Sequence, residues 1–294
     1  HEVSVHPLAA AVREVQLIAE HLPRFNSQST RWRSMAYVVL SDEAFPRLKA
    51  VRTLPAHGTA YLGPLSSLSA AHRVIDAVTS VVPLRRCSAK ISAATFGQLD
   101  LDGIPSGRIA RCTPAQLGVA CCPCAGEISP GDYAQYCELL ERGFTDEPEV
   151  LLGPLRSRLR ELAAQQRFEQ AAEVRDRAAT LAEAIRRRRR LETWRTPALV
   201  VAAHRDGSGA EIVHGLLGRT WAAGDRPRSP IAPSAAPHGA VPREEAYERL
   251  CIITELERAR SPWRLVAVDG VLAQPIGGID RFTVPGSPDR RRGQ

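Results

Sequence analysis

With 294 residues, 44% of them hydrophobic, the chain is long enough for two or three modest domains and too apolar to be disordered throughout. No apolar run approaches the ~20 residues needed to cross a bilayer, and no basic start, apolar centre and small-residue cleavage site mark a signal peptide, so no membrane partner is expected. The net charge is +7, from 39 Lys+Arg against 32 Asp+Glu, and nearly all of the positive charge is Arg; this permits a nucleic-acid partner, although a GC-rich genome would produce the same bias.

The chain begins at His1 rather than Met, as a fragment or processed product would. Residues 7–22 read as one helix, with Leu8, Val12, Val15, Ile18 and Leu22 on its apolar face and Pro23 as its stop. A strand follows at 36–40. A second, 58–62, leads into a turn at Gly63-Pro64. The pattern then predicts a helix over 67–82, an irregular stretch rich in Gly, Pro and Cys over 88–124, and a helix opened by Pro130 and running to Glu141. A helical pair covers roughly 147–194, its apolar stripe marked by Leu155, Leu159, Leu162, Phe168, Ala171, Ala172, Leu181 and Ile185.

After Arg195 the period changes from helical to alternating. Residues 199–204 and 210–217 read as two strands of a hairpin joined by Asp206-Gly207-Ser208-Gly209. A Pro-rich loop occupies 225–241, and Pro242 opens a helix to about 260. A strand at 264–268 closes on Asp269-Gly270, and 286–294 is a basic tail expected to be disordered. The fold class expected is α/β (α+β).

Seven cysteines are present: Cys87, Cys112, Cys121, Cys122, Cys124, Cys137 and Cys251. Without a secretory signal, a tight cluster between Cys112 and Cys124 favours metal over disulfides and a reduced, cytoplasmic setting. The last two fall in helices and read as core residues. Five consecutive arginines, Arg186, Arg187, Arg188, Arg189 and Arg190, allow two readings. They are a DNA contact, or a solvated helix end whose positive charge suits the helix dipole.

The stretch Phe168-Glu169-Gln170-Ala171-Ala172-Glu173-Val174-Arg175-Asp176 carries F-E-x-A-A-x-x-R-D on a helical pair. It resembles the UVR motif of bacterial nucleotide excision repair, through which UvrC and UvrB subunits contact each other. The resemblance implies a UvrB-like helicase as partner, with Phe168, Glu169, Ala171, Ala172, Arg175 and Asp176 at the contact.

Upstream, Arg13-Glu14-Val15-Gln16-Leu17-Ile18 followed by Pro23-Arg24-Phe25-Asn26 is similar to the end of the GIY-YIG nuclease domain of UvrC. Tyr61-Leu62-Gly63-Pro64-Leu65, Pro83-Leu84-Arg85-Arg86-Cys87 and Ile128-Ser129-Pro130-Gly131-Asp132-Tyr133 continue the resemblance in order to about residue 190. It implies that Glu14 holds a divalent metal, Mg or Mn, with Asn26 in support, for hydrolysis of DNA phosphodiesters. The GIY and YIG signatures are absent from this sequence, and no tyrosine precedes Tyr37. Glu14 without its general base and its phosphate-stabilising Arg implies little nuclease activity for the chain by itself.

In the same family a Cys-rich region binds an iron–sulfur cluster. By that resemblance Cys87, Cys112, Cys121 and Cys124 would ligate Fe–S, with tetrahedral zinc as the alternative and Cys122 as a substitute for Cys121.

The region after Arg195 is unlike the C-terminal half of UvrC. It is more similar to an actinobacterial UvrC-like family that joins a DEDD exonuclease to a GIY-YIG half and a UVR motif. The expected organisation is a partial GIY-YIG nuclease segment (1–86), a Cys-rich region (87–146), a UVR helical hairpin (147–194), a small α/β domain (195–285) and the tail. Two other readings remain: a non-catalytic module that docks the helicase or DNA through 150–190, and an inactive remnant.

Overall fold

The computed structural model describes residues 2–24, 30–55, 60–89, 91, 111–227, 232 and 239–272. Asn26 and the basic tail lie outside the described residues. The described chain is mixed α/β with two antiparallel sheets, and it divides into two compact units, one of 36–186 and one of 2–35 with 187–272.

The first unit opens with strands β1 (Ala36–Leu40), β2 (Leu48–Val51) and β3 (Tyr61–Leu65), in sheet order β2-β1-β3. β1 is buried along its whole length, which suits its central place and its Val38-Val39-Leu40 run. Where the sequence suggests a turn at Gly63-Pro64, the strand runs on to Leu65. The register shifts between Ala36 and Val38, so Gly63 and Pro64 both stand opposite Tyr37. A bulge of this kind accommodates Pro64, which has no N–H to give to the ladder. Gly63 is required there: its φ is 144°, and a Cβ would sit 2.8 Å from the Tyr37 ring.

Helix α2 (Leu68–Thr79) follows, capped by Ser67, whose Oγ accepts the Ala70 N–H at 3.1 Å. The short helix α3 (Thr113–Gln116) precedes α4 (Pro130–Phe144), which is capped by Ser129 and started by Pro130. Helices α5 (Glu149–Ala164) and α6 (Phe168–Arg195) form the helical pair. Leu151, Leu152 and Leu155 of α5 and Ala178, Leu181 and Ile185 of α6 share one core with Val38, Leu62, Val74, Tyr133 and Phe144.

The second unit is a four-stranded sheet, order β6-β5-β4-β7, from β4 (Leu199–His204), β5 (Gly209–Val213), β6 (Leu216–Trp221) and β7 (Trp263–Asp269). The sequence suggests one strand over 210–217. The structure breaks it at His214-Gly215, both at positive φ, to make a second two-residue hairpin that pairs Val213 with Leu216. One face of this sheet buries Val200, Ala202, Ala210 and Ile212 against α7 (Arg243–Leu256) and α1 (Pro7–His21). The linear reading grouped α1 with residues up to 86. In the structure Leu8 and Val12 instead pack in the core of Val200, Ile212, Ile252 and Ile253. No described helix is long and apolar enough to cross a membrane.

Candidate functional site

The tip of the helical pair carries the first candidate surface. α5 ends in a Schellman motif: the Arg167 N–H reaches Leu162 O at 2.9 Å, the Gln166 N–H reaches Ala163 O at 3.0 Å, and Gln166 is left-handed at φ 58°. That tight end lets α6 start at once with Phe168. Leu159 and Leu162 of α5 bury Ala171 in a small cluster at the tip, with Val174 packed against it. Phe168 does not join this cluster and is 56% exposed.

The sequence placed Phe168 in the same stripe as Ala171, and the structure separates them. Ala171, Ala178, Ala182 and Ile185 recur on the inward face and are fully or almost fully buried. Phe168, Ala172, Arg175 and Asp176 recur at i, i+4, i+7 and i+8 on another face, with Glu169 exposed beside it. Arg175 and Asp176 pair at 2.7 Å there. Of the six contact residues named from the motif, only Ala171 lies within the hairpin's own core.

The second candidate is thiol-rich. Sγ of Cys122 and Sγ of Cys124 lie 3.2 Å apart. Cys112 reaches Cys122 through both its backbone N–H and its side chain. Burial works to raise the Cys122 thiol, but hydrogen bonds from Cys112, Cys124 and Ala125 bring it below its ordinary value. Burial pushes Cys124 up to about 12, helped by the thiol of Cys122 and by Cys87 nearby.

Cys121 faces elsewhere. Its thiol hydrogen-bonds Tyr136, it packs against the main core, and burial raises it. Neighbouring residues on an extended segment point to opposite sides, so Cys121 and Cys122 cannot both face Cys124. Cys122 thus meets Cys124 and Cys112, Cys87 lies near Cys124, and Cys121 turns to Tyr136. They are gathered rather than closed: among the described residues no three His, Cys, Asp or Glu side chains stand as a ready metal site. Cys87, Cys112 and the Cys122–Cys124 pair come from three chain segments.

Arg85 fixes the first of these segments, a role that composition and motif did not reveal. Its side chain is fully buried and donates to Phe45 O at 2.5 Å, Cys87 O at 3.1 Å and Ala89 O at 2.8 Å, and it pairs with Glu43. Its backbone N–H reaches the Tyr133 hydroxyl at 3.1 Å, and that hydroxyl donates to Pro46 O at 2.6 Å.

The third candidate, Glu14, is exposed on α1. α1 packs on α7, and the Glu14 charge is felt at Cys251 of that helix. Among the described residues it belongs to no group of three or more His, Cys, Asp or Glu side chains that could hold a metal ion. The five arginines are half-buried rather than freely solvated. Arg186 pairs with Glu183 at 2.8 Å, and Arg190 pairs with Glu257 at 2.8 Å.

Residues 35–142 match the family model of the UvrC/Cho excinuclease middle domain, and residues 149–184 match the UvrB/uvrC motif. The chain is 33% identical over 168 residues to the UvrABC system protein C of Haloarcula marismortui, covering 57% of this chain and 26% of that protein. It is 34% identical over 168 residues to the protein of the same name from Natronomonas pharaonis, covering 57% and 27%. It is 31% identical over 236 residues to a putative bifunctional exonuclease/endonuclease of Mycobacterium tuberculosis, covering 78% of this chain and 34% of that protein. The chain thus spans about a quarter to a third of the length of these relatives. No solved structure matches.

Proposed function

We propose that this chain, which belongs to the UvrC-like family through its middle domain and UVR motif, works in the cytoplasm in nucleotide excision repair, as the partner-docking part of an excinuclease-type enzyme. The observation that carries this reading is Phe168. A large aromatic side chain stands exposed at the tip of a hairpin whose other large apolar side chains are buried. A UvrB-like helicase that presents a UVR hairpin of its own would cover it, with Glu169, Arg175 and Asp176 setting the register. DNA is the substrate of the assembly, and Arg186–Arg190 are the contact this unit would offer it.

Hydrolysis of DNA phosphodiesters with Mg or Mn belongs in this reading to the whole enzyme. Glu14, exposed on α1 and in no group of three potential ligands among the described residues, is its metal ligand only when Asn26 and further groups complete the site. The Cys-rich segment is proposed to hold an iron–sulfur cluster, or zinc, on Cys87, Cys112, Cys122 and Cys124. Such a group would tie three segments together and couple metal binding to folding.

Docking is tested by titrating a labelled UVR hairpin of a UvrB-like protein into the full chain. Phe168→Ala should weaken binding by about tenfold or more, in line with the ~2 kcal/mol or more of a hot-spot aromatic, and leave the melting temperature unchanged. Unchanged affinity with a lowered melting temperature would show Phe168 to be an internal packing residue and end the proposal.

A further inference from the structure

The second unit holds a cavity of about 690 Å³ on the face of its sheet turned away from α1 and α7. Its floor is apolar: Val201 and Trp221, which pack together with Leu199, and Val266 on the edge strand β7. Four arginines rim it. Arg205 follows β4, Arg226 follows β6, Arg260 precedes β7, and Arg264 lies within it. All four are exposed, and among the described residues none makes an ion pair. Of the nearby carboxylates, Asp206 lies 2.8 Å from His204 Nδ1 and accepts from Ser208, and Glu211 pairs with Arg219 at 2.9 Å.

Four guanidinium groups without ion pairs around one concavity make a positive field that favours an anionic ligand. The volume suits a ligand of nucleotide size. The arginines come from three separate segments, which suits several phosphates along a strand rather than one. The recessed apolar floor suits a base that has left its stack, which a duplex does not offer. Val266 is 42% exposed, so the floor is open on its β7 side.

We propose that this cavity binds single-stranded nucleic acid, with one base on the Val201–Trp221–Val266 floor and the flanking phosphates on Arg205, Arg226, Arg260 and Arg264. The site lies outside both stretches that the family models match, and it does not depend on the helicase-docking reading.

The test is fluorescence anisotropy of the full chain with a labelled oligothymidylate of about 15 nucleotides, a length at the upper end of single-fold site sizes, with oligouridylate, a duplex of equal length and thymidine monophosphate as competitors. The strand should bind, either single strand should compete, and duplex and monophosphate should compete poorly. In Arg260→Ala/Arg264→Ala the slope of log affinity against log salt should fall by about 1.4, at about 0.7 per lost phosphate contact on a single strand. Val266→Asp should weaken binding by about tenfold or more without changing the number of arginines. Ala substitution of Arg187 and Arg188, outside the cavity, should leave the effect of both variants intact. Preference for duplex, equal binding of the monophosphate, or an unchanged slope in the double variant would overturn the proposal. Circular dichroism of each variant checks that the substitutions leave the fold in place.

Discussion

Arg85→Met is the sharpest test of how the thiol segment is held. The substitution keeps the length and apolar body of the side chain and removes the guanidinium. Three backbone carbonyls, of Phe45, Cys87 and Ala89, lose their donor inside the protein, and Glu43 loses its buried partner. Glu43 keeps Lys49 at 3.1 Å and Arg47 at 3.9 Å, so its charge is not stranded. An unsatisfied buried acceptor costs ~1–3 kcal/mol, and breaking a buried pair costs ~3–5 kcal/mol. Because Glu43 retains partners and water reaches part of the loop, we expect about 4 kcal/mol, a large share of the ~5–15 kcal/mol by which a protein is stable. All four tryptophans, Trp32, Trp194, Trp221 and Trp263, lie in the second unit, so their emission follows that unit. Amide exchange of residues 36–89 together with urea unfolding followed by circular dichroism reports on the first unit. The double variant Glu43→Met/Arg85→Met should recover part of the loss, since an apolar pair replaces a buried ionic one at little cost. A single variant within about 1 kcal/mol of the parent would show that these hydrogen bonds do not hold the segment, and the argument fails.

Three further outcomes follow from the geometry. Cys122→Ser should abolish metal bound by anaerobically prepared protein while Cys121→Ser retains it; metal analysis and the visible spectrum decide, and the reverse order would return Cys121 to the ligand set. Gly209→Ala would place a Cβ 2.1 Å from the Trp221 ring and 2.9 Å from Ala202 O, so it should lower the stability of the second unit by about 1–3 kcal/mol, read by tryptophan emission during unfolding. Burial works to raise the Glu43 carboxyl, yet Ser41, Lys49 and Arg85 hold it below the usual range. Its contribution is therefore complete at neutral pH and is lost as pH falls through the depressed value. Glu43→Gln should flatten the acid side of the first unit's stability curve and leave the alkaline side alone.

Much of this molecule is legible in its sequence because the signals are local. Of the apolar recurrence Leu8, Val12, Val15, Ile18 and Leu22, the first four are buried, while Leu22, at the left-handed end of the helix, is exposed. The Ser129-Pro130 start of α4 and the change to alternation at Leu199 need only neighbouring residues to be understood. The misreadings share one physical origin, in which the decision belongs to distant groups. The hairpin at His214-Gly215 uses His where Asn or Asp is the usual marker, and its shape is held from outside: His214 Nδ1 lies 3.2 Å from Arg195 O, and the buried Arg249 donates to His214 O at 3.0 Å. Cys121 and Cys122 are equivalent until Tyr136 claims one of them. Phe168 and Ala171 sit three apart, so either lies on a plausible stripe, and only the position of Leu159 and Leu162 decides which one turns inward. This is also why the motif residues are more informative about partners than about packing. A position that is apolar but left outside the core, as Phe168 is, satisfies the local period without joining the hairpin's own packing, and that mismatch between pattern and burial is what points to a second surface.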